Sequence, residues 1–332
     1  MKSYASVLLL FGAMSCQFGE YDAPVILEKP DFQVEFFRAD QSLFADDTLG
    51  LLGREPFSGN IDFTQVYVEK IMRFAPLESP MLNDQAALYT EDPIWKGVQH
   101  ELDSIFSNLT EEEKLLESSL KQIAEKLPFV TVPRKVFFYN SGFNVAVYPE
   151  KEFLGIGLEW FMGNTSEYVS MLPPSNYPMY KKKKMKRDNL VSDALRGFLL
   201  SSLYSPIVEE NALSTIVFYG KCLFVLEQCS DLSEQEILNY TKEELNWASE
   251  NENNTWKRLV AEEWLFSKDQ KLMSQLTNNG PFTPGFPQDS PARLGWYTGY
   301  QMVKDFADAH QDENLKFIVD APAEKVLKFY KP

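Results

Sequence analysis

Two histidines four residues apart on a helix, with a glutamate beside the first, hold a zinc ion and activate its water, because positions i and i+4 share one helical face. In this chain of 332 residues, the stretch NLVSDALRGFL follows a strand-rich region, where such a motif would stand. Ser192 takes the place of the first His, Asp193 that of the Glu and Arg196 that of the second His. A serine hydroxyl is a poor zinc ligand, and a guanidinium is a permanent cation that repels metal. The two histidines, His100 and His310, lie far off on either side of this helix, and neither belongs to a ligand pair. No metal, no cofactor and no zinc hydrolysis are expected.

Other catalytic chemistry is weakly represented. There is no Gly-x-Ser-x-Gly elbow and no phosphate-cradling glycine loop. Cys222 and Cys229 sit in STIVFYGKCLFVLEQC, which reads as a buried helix rather than an electropositive turn. Seven helical residues rise about 10.5 Å, beyond the ~7 Å limit for a disulfide, so two buried free thiols are expected. Glu159, Glu262 and Glu263 are the carboxylates available for glycosidase-type pairing, though their sequence separation fixes no distance. Arg293, one turn from Trp296 and Tyr297, would need a carboxylate partner if buried, and Glu262 or Asp193 are the candidates. Ser192, Asp193, Arg196, Glu262 and Arg293 together make a candidate polar cleft. With 32 basic and 48 acidic residues the formal charge is −16, which argues against nucleic acid as a partner. Against that background the block Lys181 to Lys184, Lys186 and Arg187 is conspicuous. It fits an anionic surface or acidic partner, or a loop neutralised by the protein's own carboxylates.

The elements that must position these residues are mostly helical. Asp92 as cap with Pro93 at the first helical position opens a helix whose face is Trp95, Val98, Leu102 and Ile105. Thr110 with Glu113 reads as a capping box for a helix ending near Leu127-Pro128. VPRKVFFYN, FNVAVYP and EFLGIGLEWFM, between Val130 and Trp160, suggest a small antiparallel sheet. Helices follow over Leu190–Leu203, Ser214–Cys229, Ser233–Tyr240 and Lys242–Phe266, and Ser290 with Pro291 starts a last one. There Gly295 and Gly299, four apart, would let another helix approach closely. The expected fold is α+β, predominantly α-helical with a small antiparallel sheet, as one domain over residues 31–330.

The first fifteen residues, MKSYASVLLLFGAMS, carry one cation and then an apolar run about half as long as a bilayer span, the pattern of an export signal. Ala13-Met14-Ser15-Cys16 looks like a lipobox, at which Cys16 is acylated and becomes the new N-terminus. Each acyl chain contributes on the order of 0.8 kcal/mol per buried CH₂, so the two or three chains of a lipoprotein, palmitate among them, give a durable anchor. Residues 16–30 read as an acidic tether, and no later segment is expected to span a membrane.

FRADQSLF, VYPEKEFLGIGLEWFMG, the run from Tyr180 to Leu199, TKEELNWASENENNTWKRLVAEEWLFSKDQKL and DSPARLGWYTGYQMVKDF resemble, in order and spacing, the gliding-motility lipoprotein GldB family of Bacteroidetes. Ala292 stands where that family's pattern has Gly. The resemblance implies an envelope lipoprotein, on the outer rather than the inner membrane, that supports gliding and the linked type IX secretion machinery through other envelope proteins. It also implies a degenerate zincin-like metallopeptidase scaffold reused for binding, a pseudoenzyme. A hydrolase, or a peptide- or ligand-binding module in the same cleft, is the alternative.

Overall fold

Strand β1 (Glu35–Arg38) runs parallel to β2 (Lys135–Tyr139), and β2 runs parallel to β4 (Phe153–Gly157). Only β3 (Val147–Pro149), at the edge beside β4, is antiparallel. In this computed structural model, which describes residues 32–45, 50–205 and 210–332, the four-stranded sheet therefore has the order β1-β2-β4-β3 and is mixed. The expectation of an antiparallel sheet holds for the β3–β4 hairpin alone. The two parallel neighbours β2 and β4 read KVFFY and FLGIG, and all of their residues but Lys135 are buried, as strands covered on both faces should be. Pro149, which has no N–H to donate, ends the edge strand. The expected leader, Cys16 and tether lie outside the described residues.

The face bearing Phe137, Tyr139 and Phe153 packs into an aromatic cluster with Phe57, Phe63 and Tyr67. Phe63 stacks on Phe137 with ring centroids 3.8 Å apart. Short helices α1 (Ala39–Leu43) and α2 (Ile61–Gln65), the latter continuing into a π-helical turn over Val66–Ile71, supply that cluster. Then come α3 (Leu82–Glu91), α4 (Pro93–Ile105) and α5 (Thr110–Lys126). Asp92 caps α4 as its sequence predicts, accepting from the N–H groups of Ile94 and Trp95. Thr110 does not cap α5: it is the first helical residue, and the Asn108 side chain takes its N–H instead.

After the sheet follow the one-turn helices α6 (Glu167–Met171) and α7 (Met179–Lys182), then α8 (Leu190–Ser202), which packs on β3 and β4. Helix α9 (Ala212–Cys229) is the spine of the helical layer. Its mean hydropathy of 1.3 over 18 residues satisfies the composition of a membrane span, but 78% of it is buried inside the protein. A core helix and a span look alike in sequence. Cys222 and Cys229 are free and buried there, as expected. The expected helix over Lys242–Phe266 is two helices, α11 (Lys242–Glu250) and α12 (Glu252–Ala261), hinged at Asn251; before them stands α10 (Glu234–Leu238).

Helix α13 (Gln270–Thr277) and then α14 (Leu294–Asp308) complete the layer, with α15 (Leu315–Asp320) and α16 (Ala323–Leu327) closing the chain. α14 starts three residues later than its Pro291 signal indicates, because Arg293 adopts a left-handed conformation (φ 62°) ahead of it. α14 lies directly on α9. A Cβ at Gly299 would stand 1.8 Å from the Ile216 carbonyl oxygen, and one at Gly295 would stand 2.9 Å from Ile216 Cγ2. The paired glycines thus do what their spacing suggests.

Candidate functional site

Helix α10 explains where the cations go. Ser233 and Glu236 form a reciprocal capping box at its start, and Asn239 ends it in the left-handed conformation (φ 52°, ψ 50°). A helix end leaves carbonyls without intrahelical partners, and cationic side chains near a C-terminus are favourable. Three cations from three other segments answer them. Arg196 of α8 donates to the Ile237 oxygen (2.7 Å), Arg293 to Leu238 (2.8 Å) and Asn239 (3.3 Å), and Lys184 Nζ to Asn239 (2.8 Å). Asp193, one turn before Arg196 on α8, forms an ion pair with it and also accepts from Asn239 Nδ2 at 3.2 Å.

These groups line a cavity of about 280 Å³, with Trp160, Met185, Leu200 and Trp296 as its apolar walls. Trp296 is flanked by both guanidiniums, that of Arg293 4.5 Å and that of Arg196 5.7 Å from its ring centroid. Lys181 lies 4.8 Å over Trp160 and 4.6 Å over Tyr177. Burial and the neighbouring Arg293 push Lys184 down to about 7. Burial, together with Arg196, lowers Arg293 to about 10. Charge of one sign is being held together here at a cost.

Of the five cleft residues expected from sequence, Asp193, Arg196 and Arg293 meet at this cavity. Ser192 does not: it is fully buried, and its hydroxyl donates to the Asn189 carbonyl, because adjacent positions on a helix point about 100° apart. Glu262 does not either. It is exposed at the end of α12, 3.9 Å from Arg258, so it is no partner for Arg293, whose hydrogen bonds go to carbonyls. Glu263 is exposed beside it, whereas Glu159 is wholly buried, and the three make no carboxylate pair.

Glu159 faces the loop after β2, where its Oε1 accepts from the N–H groups of Ser141 (2.9 Å) and Phe143 (3.1 Å) and from the Ser141 hydroxyl. Burial raises it to about 7 against the pull of those donors. Oε2 has no partner among the described residues.

Sequence reasoning missed Lys181, Lys184 and Asn239 as cleft residues. The basic block was the available signal, but it is divided in space. Lys182 donates inward to the carbonyls of Ser170 and Leu172, and Arg187 pairs with Glu112 at 2.6 Å. Lys186 lies 3.6 Å from Asp188. Only Lys181 and Lys184 of the block line the cavity. Among the described residues, no group of three or more His, Cys, Asp or Glu side chains is placed to hold a metal ion.

Comparison with curated proteins and with solved structures gives no match. The family model described as gliding motility protein GldB matches residues 23–332, nearly the whole length. The chain therefore belongs to the GldB gliding-motility family.

Proposed function

We propose that this protein is a lipid-anchored envelope protein that supports gliding, and the type IX secretion machinery linked to it, by binding other envelope components rather than by catalysis. The observation that carries the binding reading is the convergence of Arg196, Arg293 and Lys184 on the end of α10, with Asp193 beside Arg196. That is the chemistry of charge recognition: it presents fixed cationic donors. Helix α8 follows the sheet and packs on it, the setting of a metallopeptidase's ligand helix, and we read the domain as such a scaffold with its ligand positions replaced. The export signal and lipobox at Cys16 support anchoring, with the outer membrane as the favoured site.

The test is complementation of cells lacking the gene. Wild type should restore spreading on agar. Cys16→Ala should yield an unacylated product by mass spectrometry and no spreading. Lys184→Gln combined with Arg196→Gln should stay in the membrane fraction at normal abundance yet fail to restore spreading. Full spreading with the cleft variant at normal abundance would overturn the binding reading, and full spreading with unacylated Cys16→Ala protein would overturn the need for an anchor.

A further inference from the structure

The geometry points to an oxyanion pocket between α8, the end of α10 and the start of α14, built for a small ligand with one carboxylate or phosphate head on an apolar or aromatic body. This deepens the binding reading of the same cleft and rests on it. Charge is the first ground. Lys181, Lys184, Arg196 and Arg293 line the cavity, and the carboxylates set against them are Asp193 on Arg196 and Glu244, 3.8 Å from Lys184. Four basic side chains face two carboxylates there, in a chain whose net charge is −16.

Capping of α10 does not account for all of this. The turn is already closed by backbone bonds, from the Asn239 N–H to Glu236 and from the Tyr240 N–H to Gln235. Its remaining carbonyls, those of Ile237, Leu238 and Asn239, take Arg196, Arg293 and Lys184, which leaves Lys181 in the cavity with no part in the cap. Nor does capping use every donor. Arg293 is 3% exposed, lines the cavity, and its Nε has no acceptor among the described residues. A buried N–H without an acceptor costs about 1–3 kcal/mol, and that of a charged group costs more. An anion in the cavity would offset the repulsion between Arg293, Arg196 and Lys184.

Arg196, Arg293 and Lys184 are each tied to a carbonyl at the end of α10, so their positions are set before a ligand arrives, and less ordering cost is left to binding. The body of the ligand is chosen by the walls. Trp160, Trp296, Met185 and Leu200 line the cavity with apolar surface. About 280 Å³ is at the small end of ligand pockets and admits a head group with one ring or one side chain.

Titration calorimetry on the whole soluble domain distinguishes the two head groups. N-acetylphenylalanine and phenyl phosphate are the anionic probes, and N-acetylphenylalanine amide is the neutral control of the same shape. At least one anionic probe should bind ten times more tightly than the amide, and the tighter of the two identifies the head group. Lys184→Gln should weaken it about tenfold while the circular dichroism spectrum and melting temperature stay as in wild type; Lys181→Gln, at the rim, serves as the second variant if Lys184→Gln does not fold. Equal binding of amide and acids, no binding of any probe at millimolar concentration, or unchanged affinity in the folded variants would each overturn the pocket. Failure of the probes alongside loss of spreading in the cleft variant would sink this inference and leave the binding reading intact. Tight binding with full spreading would do the reverse.

Discussion

Replacing Gly299 by Ala puts a methyl group into the narrowest point between α9 and α14. The added Cβ would stand 1.8 Å from the oxygen and 2.6 Å from the carbon of the Ile216 carbonyl, both backbone atoms of a buried helix. An ordinary contact is about 3.5 Å, so the helix axes must separate by more than 1 Å. The same seam holds Ile216, Val217, Tyr300 and Val303, all nearly or fully buried, and a gap of 0.5–1 Å forfeits about a quarter to a half of each contact's attraction. Overpacking of this kind costs about 1–3 kcal/mol and occasionally more, and with backbone on the receiving side the upper end applies or is exceeded. Alanine returns about 1 kcal/mol through its better helix propensity. The net expectation is a loss of roughly 2 kcal/mol or more, or at least about 4 °C in melting temperature for a domain of this size. Gly97→Ala on α4 is the control. There the new Cβ meets only the far end of the Tyr168 side chain, its hydroxyl at 1.9 Å and Cζ at 2.7 Å, which can swing aside, so stability should change by about 1 kcal/mol or less in either direction. Thermal and urea unfolding followed at 222 nm read both variants. Equal shifts in the two, or a stabilised Gly299→Ala, would refute the claim that backbone contact sets the α9–α14 spacing.

Glu159 ties stability to pH. Its carboxyl is raised to about 7 in the folded protein, so its contribution is fully present below the ordinary value near 4.5 and is lost as pH rises through about 7. At ~1.4 kcal/mol per pH unit, the stability difference between wild type and Glu159→Gln should change by roughly 3 kcal/mol from pH 4.5 to 8, with the wild type relatively weaker at the alkaline end. Parallel urea-derived stability curves would rule out a protonated buried carboxyl. The cysteines give a further check. Burial pushes the Cys229 thiol up to about 11 and that of Cys222 higher still, so neither should react with a disulfide reagent at pH 8 until guanidinium is added. Rapid modification of either in the folded domain would contradict the placement of α9.

What the sequence made legible was local chemistry. Asp92-Pro93 starts α4 because a carboxylate cap and a proline act within one turn. The apolar run around Cys222 forms α9, and Gly295 with Gly299 marks the close crossing, since spacing on one helix carries that information by itself. Strand direction is another matter. β1 and β2 pair across a hundred residues, Glu35 opposite Lys135, and nothing local specifies it. Short links between the later runs suggest hairpins, yet β2 and β4 are parallel because β3 lies outside β4 rather than between them. Where two local signals compete, the neighbour decides. Asn108 takes the N–H that Thr110 would have to share, and the left-handed turn at Arg293 delays α14 past Ser290 and Pro291.

The cleft shows why residue types alone located three of five members. Asp193 and Arg196 share a helix, and their three-residue spacing already puts them on one face. Arg293 was marked by its aromatic neighbours, and Trp296 does carry its guanidinium. But the partner that organises the site is a row of backbone oxygens at the end of α10, and carbonyls have no letter in a sequence. Searching for a carboxylate to match Arg293 therefore led to Glu262, on the surface. The same reasoning explains the basic block. Six cations within seven residues look like one patch, yet each goes to whatever acceptor its direction reaches: Lys182 to buried carbonyls, Arg187 to Glu112, Lys184 to the α10 end. If α10's carbonyls recruit the cations, the positive charge of the cavity follows from how that helix ends. Changes at Asn239, which holds the left-handed cap and bonds Asp193, would then act on the cleft without touching any of its charges.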